Sequence, residues 1–145
     1  MRATAAILIA SLSSGCAIGM KAENFKAAQA PQGVRSTVVT PSGPFTGELI
    51  EVRDTALVLL AEEARAAAAP GVVNQRLRLI PFTSIDRAEF EQLGSGSRLA
   101  DGQPPSPRAR ERLRLVSRFP YGMSPAVEGA LLKTYGQDGF GGVDR

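Results

Sequence analysis

A chain of 145 residues, 43% of them hydrophobic, with a formal net charge of +3, has material for one domain with a modest core and not for two. It has no histidine, which excludes His-based triads and His-ligated metal sites; its single cysteine excludes intrachain disulfides and a cysteine cluster for zinc. The basic balance is a small excess of arginine in a chain with no tryptophan and 6% aromatics, so composition alone draws no nucleic-acid footprint.

The first element is an apolar run of about ten residues, Ala3 to Leu12, behind Met1-Arg2. A membrane-spanning helix needs about 20 such residues, so the run fits the apolar region of a secretory signal peptide over 1–15. Ser13-Ser14-Gly15 then offers small residues to a peptidase, and Cys16 follows. The segment Leu12-Ser13-Ser14-Gly15-Cys16 resembles the lipobox of bacterial lipoproteins. Ser14, Gly15 and Cys16 match, whereas Ser13 stands where that family prefers Leu. The resemblance implies cleavage between Gly15 and Cys16 and lipid (palmitate and related acyl chains) on the Cys16 thiol. The alternative is an ordinary signal peptide cut nearby. Ala17, and no aspartate, follows the cysteine. By the same resemblance this implies the outer membrane of a diderm envelope, facing the periplasm. The mature charge becomes +2, from +3 less Arg2.

Residues 16–33 read as a lipidated tether with a short helix-prone stretch, Lys21 to Ala30, ended by Pro31 and Gly33. Residues 34–92 carry the fold. Val34 to Thr40 is rich in β-branched residues and predicts a strand, and Pro41-Ser42-Gly43-Pro44 a turn. Phe45 to Val52 predicts a second strand, with Phe45, Gly47, Leu49 and Glu51 on one face and Thr46, Glu48, Ile50 and Val52 on the other. Apolar groups on both faces point to a strongly curved strand, with Gly47 as its bend or bulge. After the turn Arg53-Asp54-Thr55, the apolar Ala56 to Glu62 is the third strand. An Ala-rich loop broken by Pro70-Gly71 leads to a fourth, Gln75 to Ile80, with Leu77 and Leu79 inward and Arg76 and Arg78 outward. Pro81 to Ser84 is a corner, and Ile85 to Phe90 a fifth strand.

Five short strands with tight turns predict a mainly β, α+β fold: a five-stranded small barrel followed by two short C-terminal helices. The hydrophobic layout from Gly43 to Phe90 is similar to Sm-like and SH3-like barrels. The RNA-binding motifs of Sm-like proteins are not matched: Asp54 is displaced and no Asn follows it, and Thr83-Ser84 stands at the later corner. Nucleic acid is therefore not an expected partner.

Residues 93–106 have linker composition. A helical segment over 107–136 follows, then a tail over 137–145. Ser106-Pro107 is an N-cap with proline at the first helical position, and Ala109, Leu113 and Val116 form one apolar stripe. Arg108, Arg110, Arg112 and Arg114 fill much of the remaining circumference. From Arg108 to Arg118 there are five arginines and one acid, a local charge of 5 − 1 = +4. This is the one candidate contact surface, suited to phosphates of lipid headgroups or an anionic polymer; the alternative is a solvated face with arginine stems over apolar neighbours. Phe119 and Tyr121 around Pro120 read as a loop anchor on the core. Ser124-Pro125 starts a second helix with Val127, Leu131 and Tyr135 on one face, closed by Gly136.

No residues are assigned to catalysis, metal or cofactor. Lys21, Lys26 and Lys133 lie in no motif, and the paired acids Glu62-Glu63 sit at a strand end. The sequence reading is thus a non-enzymatic, lipid-anchored envelope protein acting as an interaction or scaffold module with an unidentified envelope partner. The alternative is an anionic-ligand binder using Arg108, Arg110, Arg112, Arg114 and Arg118.

Overall fold

A computed structural model describes residues 32–63, 74–94 and 98–142. The segment expected as a signal peptide (1–15), Cys16 and most of the expected tether lie outside the described residues. The fold is mainly β: strands β1 (Arg35–Thr40), β2 (Gly43–Val52), β3 (Ala56–Glu63), β4 (Asn74–Pro81), β5 (Arg87–Phe90) and β6 (Leu99–Ala100), then helices α1 (Pro107–Val116) and α2 (Pro125–Thr134). The strands form one six-stranded antiparallel sheet in the order β4-β3-β2-β1-β5-β6. The sixth strand is an addition to the five expected from the pattern. Its two residues have no periodicity to detect, and it forms because Leu99 is buried opposite Ala88. The Pro81–Ser84 corner is a 3-10 turn over Phe82–Ser84, which buries Phe82.

Both faces of the sheet are covered, which explains why β3 is apolar from Ala56 to Ala61. Leu57 and Leu59 join Val38, Leu49, Val52, Ile80, Ala88, Phe90 and Leu99 in a first core, capped by Leu113 and Val116 of α1. Val58 and Leu60 join Ile50 and Leu77 in a second core beneath Leu132 of α2, with Leu131, Tyr135, Phe119, Met123 and Phe140 packed around it. Residues from one face of all six strands share the first core, so the sheet curls about it. The Arg78 guanidinium of β4 lies 4.8 Å from the centroid of the Phe45 ring of β2, two strands away.

A register break in β2 distributes its side chains between the cores. Leu49 pairs with Leu59, but Glu51 pairs with Val58, so Ile50 is the extra residue of a β-bulge. Ile50 and Glu51 consequently face the second core and Val52 returns to the first, reversing the alternation expected beyond Leu49. Gly47 is not itself the bulge. A Cβ there would lie 2.0 Å from the Leu60 carbonyl oxygen, so the curled sheet brings β3 backbone into the space a side chain would need.

β1 pairs with β2 only as far as Arg35 opposite Glu48. The remaining edge of β2 is completed by other segments. Leu49 N–H donates to the Val34 carbonyl (2.9 Å), while Arg118 and Phe119 N–H groups donate to the Leu49 and Ile50 carbonyls (3.0 and 2.9 Å). The α1–α2 connection therefore crosses the β2 edge from one face of the sheet to the other, placing the two helices on opposite cores.

The outer edge of β4 is closed by the C-terminal segment. Gly141 N–H donates to the Leu77 carbonyl (2.9 Å) and Leu79 N–H to the Gly141 carbonyl (3.1 Å). The buried Gln137 side chain acts as one more peptide unit: its Oε1 accepts from Leu77 N–H (2.7 Å) and its Nε2 donates to the Leu77 carbonyl (3.1 Å).

Candidate functional site

Both helices start as their sequences dictate: Ser106 Oγ accepts from Ala109 N–H and Ser124 Oγ from Val127 N–H, each at 3.3 Å, with proline at the first helical position. That phase turns Leu113 and Val116 into the first core and spreads the arginines of α1 over its flanks. Arg110 Nη1 and Arg114 Nη2 donate to Asp54 Oδ1 in the β2–β3 turn (3.3 and 3.1 Å), and Arg114 Nε donates to the Val52 carbonyl (3.3 Å). Asp54 has 81% of its side chain exposed, so these pairs are solvent-screened and individually weak.

Arg118 is held more firmly. It donates through Nε and Nη2 to both oxygens of Glu48, a forked, charge-assisted pair with both side chains largely covered. Glu48 Oε1 also accepts from Gly33 N–H at 2.6 Å, and Val34 N–H donates to the Val116 carbonyl at 3.0 Å. A Cβ on Gly33 would lie 2.0 Å from the Leu49 carbonyl oxygen and 2.8 Å from Arg118 N. The chain thus joins the domain through a slot between β2 and the α1–α2 connection that admits only glycine. Of the five arginines expected to form an anion-contact surface, Arg110, Arg114 and Arg118 are bonded to the sheet. Arg108 is exposed and Arg112 half-buried, and no ion pair among the described residues involves either.

A second polar cluster fastens α2. Arg53 Nε donates to Glu51 Oε2 (2.9 Å), its Nη2 donates to Glu128 of α2, and its guanidinium lies 5.0 Å from the centroid of the Phe140 ring. Glu51 is 8% exposed and its Oε1 accepts from Met123 N–H (3.1 Å). Burial lowers the pKa of Arg53, but the hydrogen bonds and charges of Glu51 and Glu128 outweigh it, so the net shift is upward and the cation is secured. Apart from the Arg53–Glu51 bond, two positions apart, these contacts have no local sequence signal: Arg53 and Glu128 are 75 positions apart. Glu62 and Glu63 likewise bond distant residues, Arg35 of β1 across the width of β2 and Arg78 of the adjacent β4. Arg78 is therefore half-buried among Phe45, Glu63 and the Gly142 carbonyl, not free in solvent as its alternation implied.

Two aromatic and apolar expectations are corrected. Phe119 packs on the second core, but Tyr121 is 99% exposed. Gly122 N–H donates to the Phe119 carbonyl (3.1 Å), closing a turn whose tip is Pro120-Tyr121 and directing the tyrosine ring away from the core. In α2 the inward residues are Leu131, Leu132 and Tyr135, while Val127 is 38% exposed.

A depression of about 310 Å³ between β1 and β5 is lined by Arg35, Ser36, Thr37, Glu89, Phe90 and Glu91. Two of its three charged residues are paired. Arg35 bonds Glu62 in a fork (2.7 and 2.9 Å) that raises the arginine pKa, and Glu89 pairs with Arg98 at 3.5 Å. The described residues hold no group of three or more potential metal ligands, and no helix among them is long and apolar enough to cross a membrane. Gly15 and Cys16 lie outside the described residues. Compared with protein-family models, curated proteins and solved structures, the chain matches none. Its class is defined by its own architecture, an α+β, mostly β domain with one helix on each face of its sheet.

Proposed function

We propose that the chain is a non-catalytic, lipid-anchored envelope protein, held by lipid on Cys16 and presenting its domain as an interaction or scaffold module, with the outer membrane facing the periplasm as its address. The curled sheet, with one face of every strand in a common core, favours an architecture of the small SH3-like/Sm-like barrel kind. The observation that carries the scaffold reading is the pairing of Arg110 and Arg114 with Asp54 and of Arg118 with Glu48. It makes the most cationic segment of the chain a fastening between helix and sheet. The deciding measurement is the intact mass of the membrane fraction from cells expressing the wild type and Cys16→Ala. An acylated Cys16 N-terminus, lost in the variant with release from the membrane, is the expected result; an unmodified or differently cut wild type overturns the anchor.

The second reading, contact with an anionic ligand, draws on the exposed Arg108 and the half-buried Arg112, neither of which is in an ion pair among the described residues. It requires polyphosphate or anionic-lipid binding that weakens steeply with salt and disappears when these two arginines become alanine. Capture of an envelope protein that persists at high salt favours the scaffold.

A further inference from the structure

Tyr121 is an outlier. Among the described residues three large hydrophobic side chains are exposed, Leu115 (38%), Tyr121 (99%) and Val127 (38%). All three belong to the last turn of α1, the connection, and the first turn of α2. The tyrosine stands at the tip of a closed turn, with Gly122 at φ 85° and the neighbouring Phe119 packed inward. The turn thus has a built base and an unsheltered tip.

The position at which the chain joins the domain decides what this tip faces. Gly33 and Val34 are bonded to Glu48 and Val116, and Glu48 also holds Arg118, three residues before Tyr121. The stretch leading back to Cys16 therefore leaves the domain beside the Tyr121 turn. The seventeen steps from Cys16 to Gly33 extend to at most about 60 Å, so a domain held at Cys16 stays within that reach of the bilayer. Tyrosine, with an apolar ring and a polar hydroxyl, suits the boundary between headgroups and acyl chains.

We infer that the Phe119–Gly122 turn is a membrane-contact surface, in which Tyr121 enters the headgroup region of the bilayer carrying the anchor. The inference rests on the anchor proposed at Cys16, and it adds orientation to attachment: the lipid keeps the domain near the bilayer and the turn selects the side that meets it. A few apolar side chains bind a bilayer only marginally alone, so the turn acts as the second of two signals.

The chain itself supplies the probe. It contains no tryptophan and one cysteine, so Tyr121→Trp gives a single indole emitter and Cys16 a single coupling point. The full chain is coupled through Cys16 to a maleimide phospholipid in vesicles of three parts phosphatidylethanolamine to one part phosphatidylglycerol, with and without brominated acyl chains. Ser42→Trp is the control. It lies in the exposed β1–β2 turn, the length of β1 away from Arg35, or about 20 Å at roughly 3.3 Å per residue. The expected result is blue-shifted indole emission from the Tyr121→Trp protein, strongly quenched by brominated lipid, with emission from the Ser42→Trp protein unchanged. Equal quenching of the two variants overturns the inference. A blue shift in Tyr121→Trp that appears without vesicles and grows with protein concentration also overturns it, assigning the turn to contact with a second copy. Because coupling is chemical, this outcome is independent of whether cells acylate Cys16, which the intact-mass experiment decides separately.

Discussion

Replacing Gln137 by alanine removes the side chain that completes the β4 edge. Leu77 N–H loses its acceptor at 2.7 Å, while the Leu77 carbonyl keeps Gly141 N–H at 2.9 Å, so one buried donor is orphaned and the paired acceptor is not. A buried donor left unsatisfied costs about 1–3 kcal/mol, and the two bonds donated by Nε2, to Leu77 and to Gly139, contribute about 0.5–1.5 kcal/mol net each. The total, about 2–6 kcal/mol, lowers Tm by roughly 10–35 °C in a domain of this size. Amide hydrogen exchange gives the sharper measurement. Leu77 exchanges fastest relative to wild type, and Leu79, which donates to Gly141, follows because the tail detaches. Gln137→Glu retains an acceptor for Leu77 N–H but turns a carboxylate oxygen toward the Leu77 and Gly139 carbonyls. It therefore loses stability while Leu77 stays better protected than in Gln137→Ala. Wild-type protection of Leu77 and Leu79 in the alanine variant, with Tm unchanged, refutes the assignment of Gln137 as a surrogate peptide unit.

Gly47→Ala places a methyl 2.0 Å from the Leu60 carbonyl oxygen and is expected to cost more than about 3 kcal/mol, read as loss of soluble, cooperatively unfolding protein; a small shift in the urea midpoint would show that the sheet relaxes there. Asp54→Ala releases Arg110 and Arg114 while costing under about 1 kcal/mol, and raises salt-sensitive retention on a polyphosphate matrix; unchanged retention means that these pairs do not set the cationic character of the surface. Arg53→Met leaves Glu51 buried beside Met123 N–H without its counter-charge and destabilises by about 2 kcal/mol. Because the folded-state pKa of Arg53 is raised above its already high ordinary value, its contribution is fully present below the unfolded-state pKa and is lost only as pH rises through the folded-state one, far above neutrality; the wild type–variant difference in unfolding free energy is therefore constant from about pH 6 to 9, and a difference that falls within that window contradicts the cluster.

The elements legible in the sequence are those whose determinants are local. Ser106-Pro107, Ser124-Pro125 and Gly136 set the helix limits through contacts within a few residues, and β-branched or alternating runs set the strands. The bulge at Ile50 has no such determinant, and it inverts the facing of Glu51 and Val52. Arg110 and Arg114 of α1 and Arg118 just beyond it are legible as charge but not as fasteners, because their partners Asp54 and Glu48 lie 56 to 70 positions away. Tyr121 escapes sequence reading for a related reason: an aromatic beside proline has the same sequence whether it packs inward, as Phe119 does, or forms the tip.

The placement of β1 has a mechanical consequence. With the anchor proposed at Cys16, tension on the protein reaches the domain through Gly33 and Val34 and falls on a strand flanked on both sides, by β2 over six register pairs and by β5 over four. Drawing that strand out breaks two ladders and, through Val34, loosens the end of α1 as well. The C-terminal segment 137–142 lies against β4 by one isolated bridge, the Gln137 side chain and the Arg78–Gly142 bond. Load is therefore borne where the weave is densest, and the segment along β4 is the one that peels first.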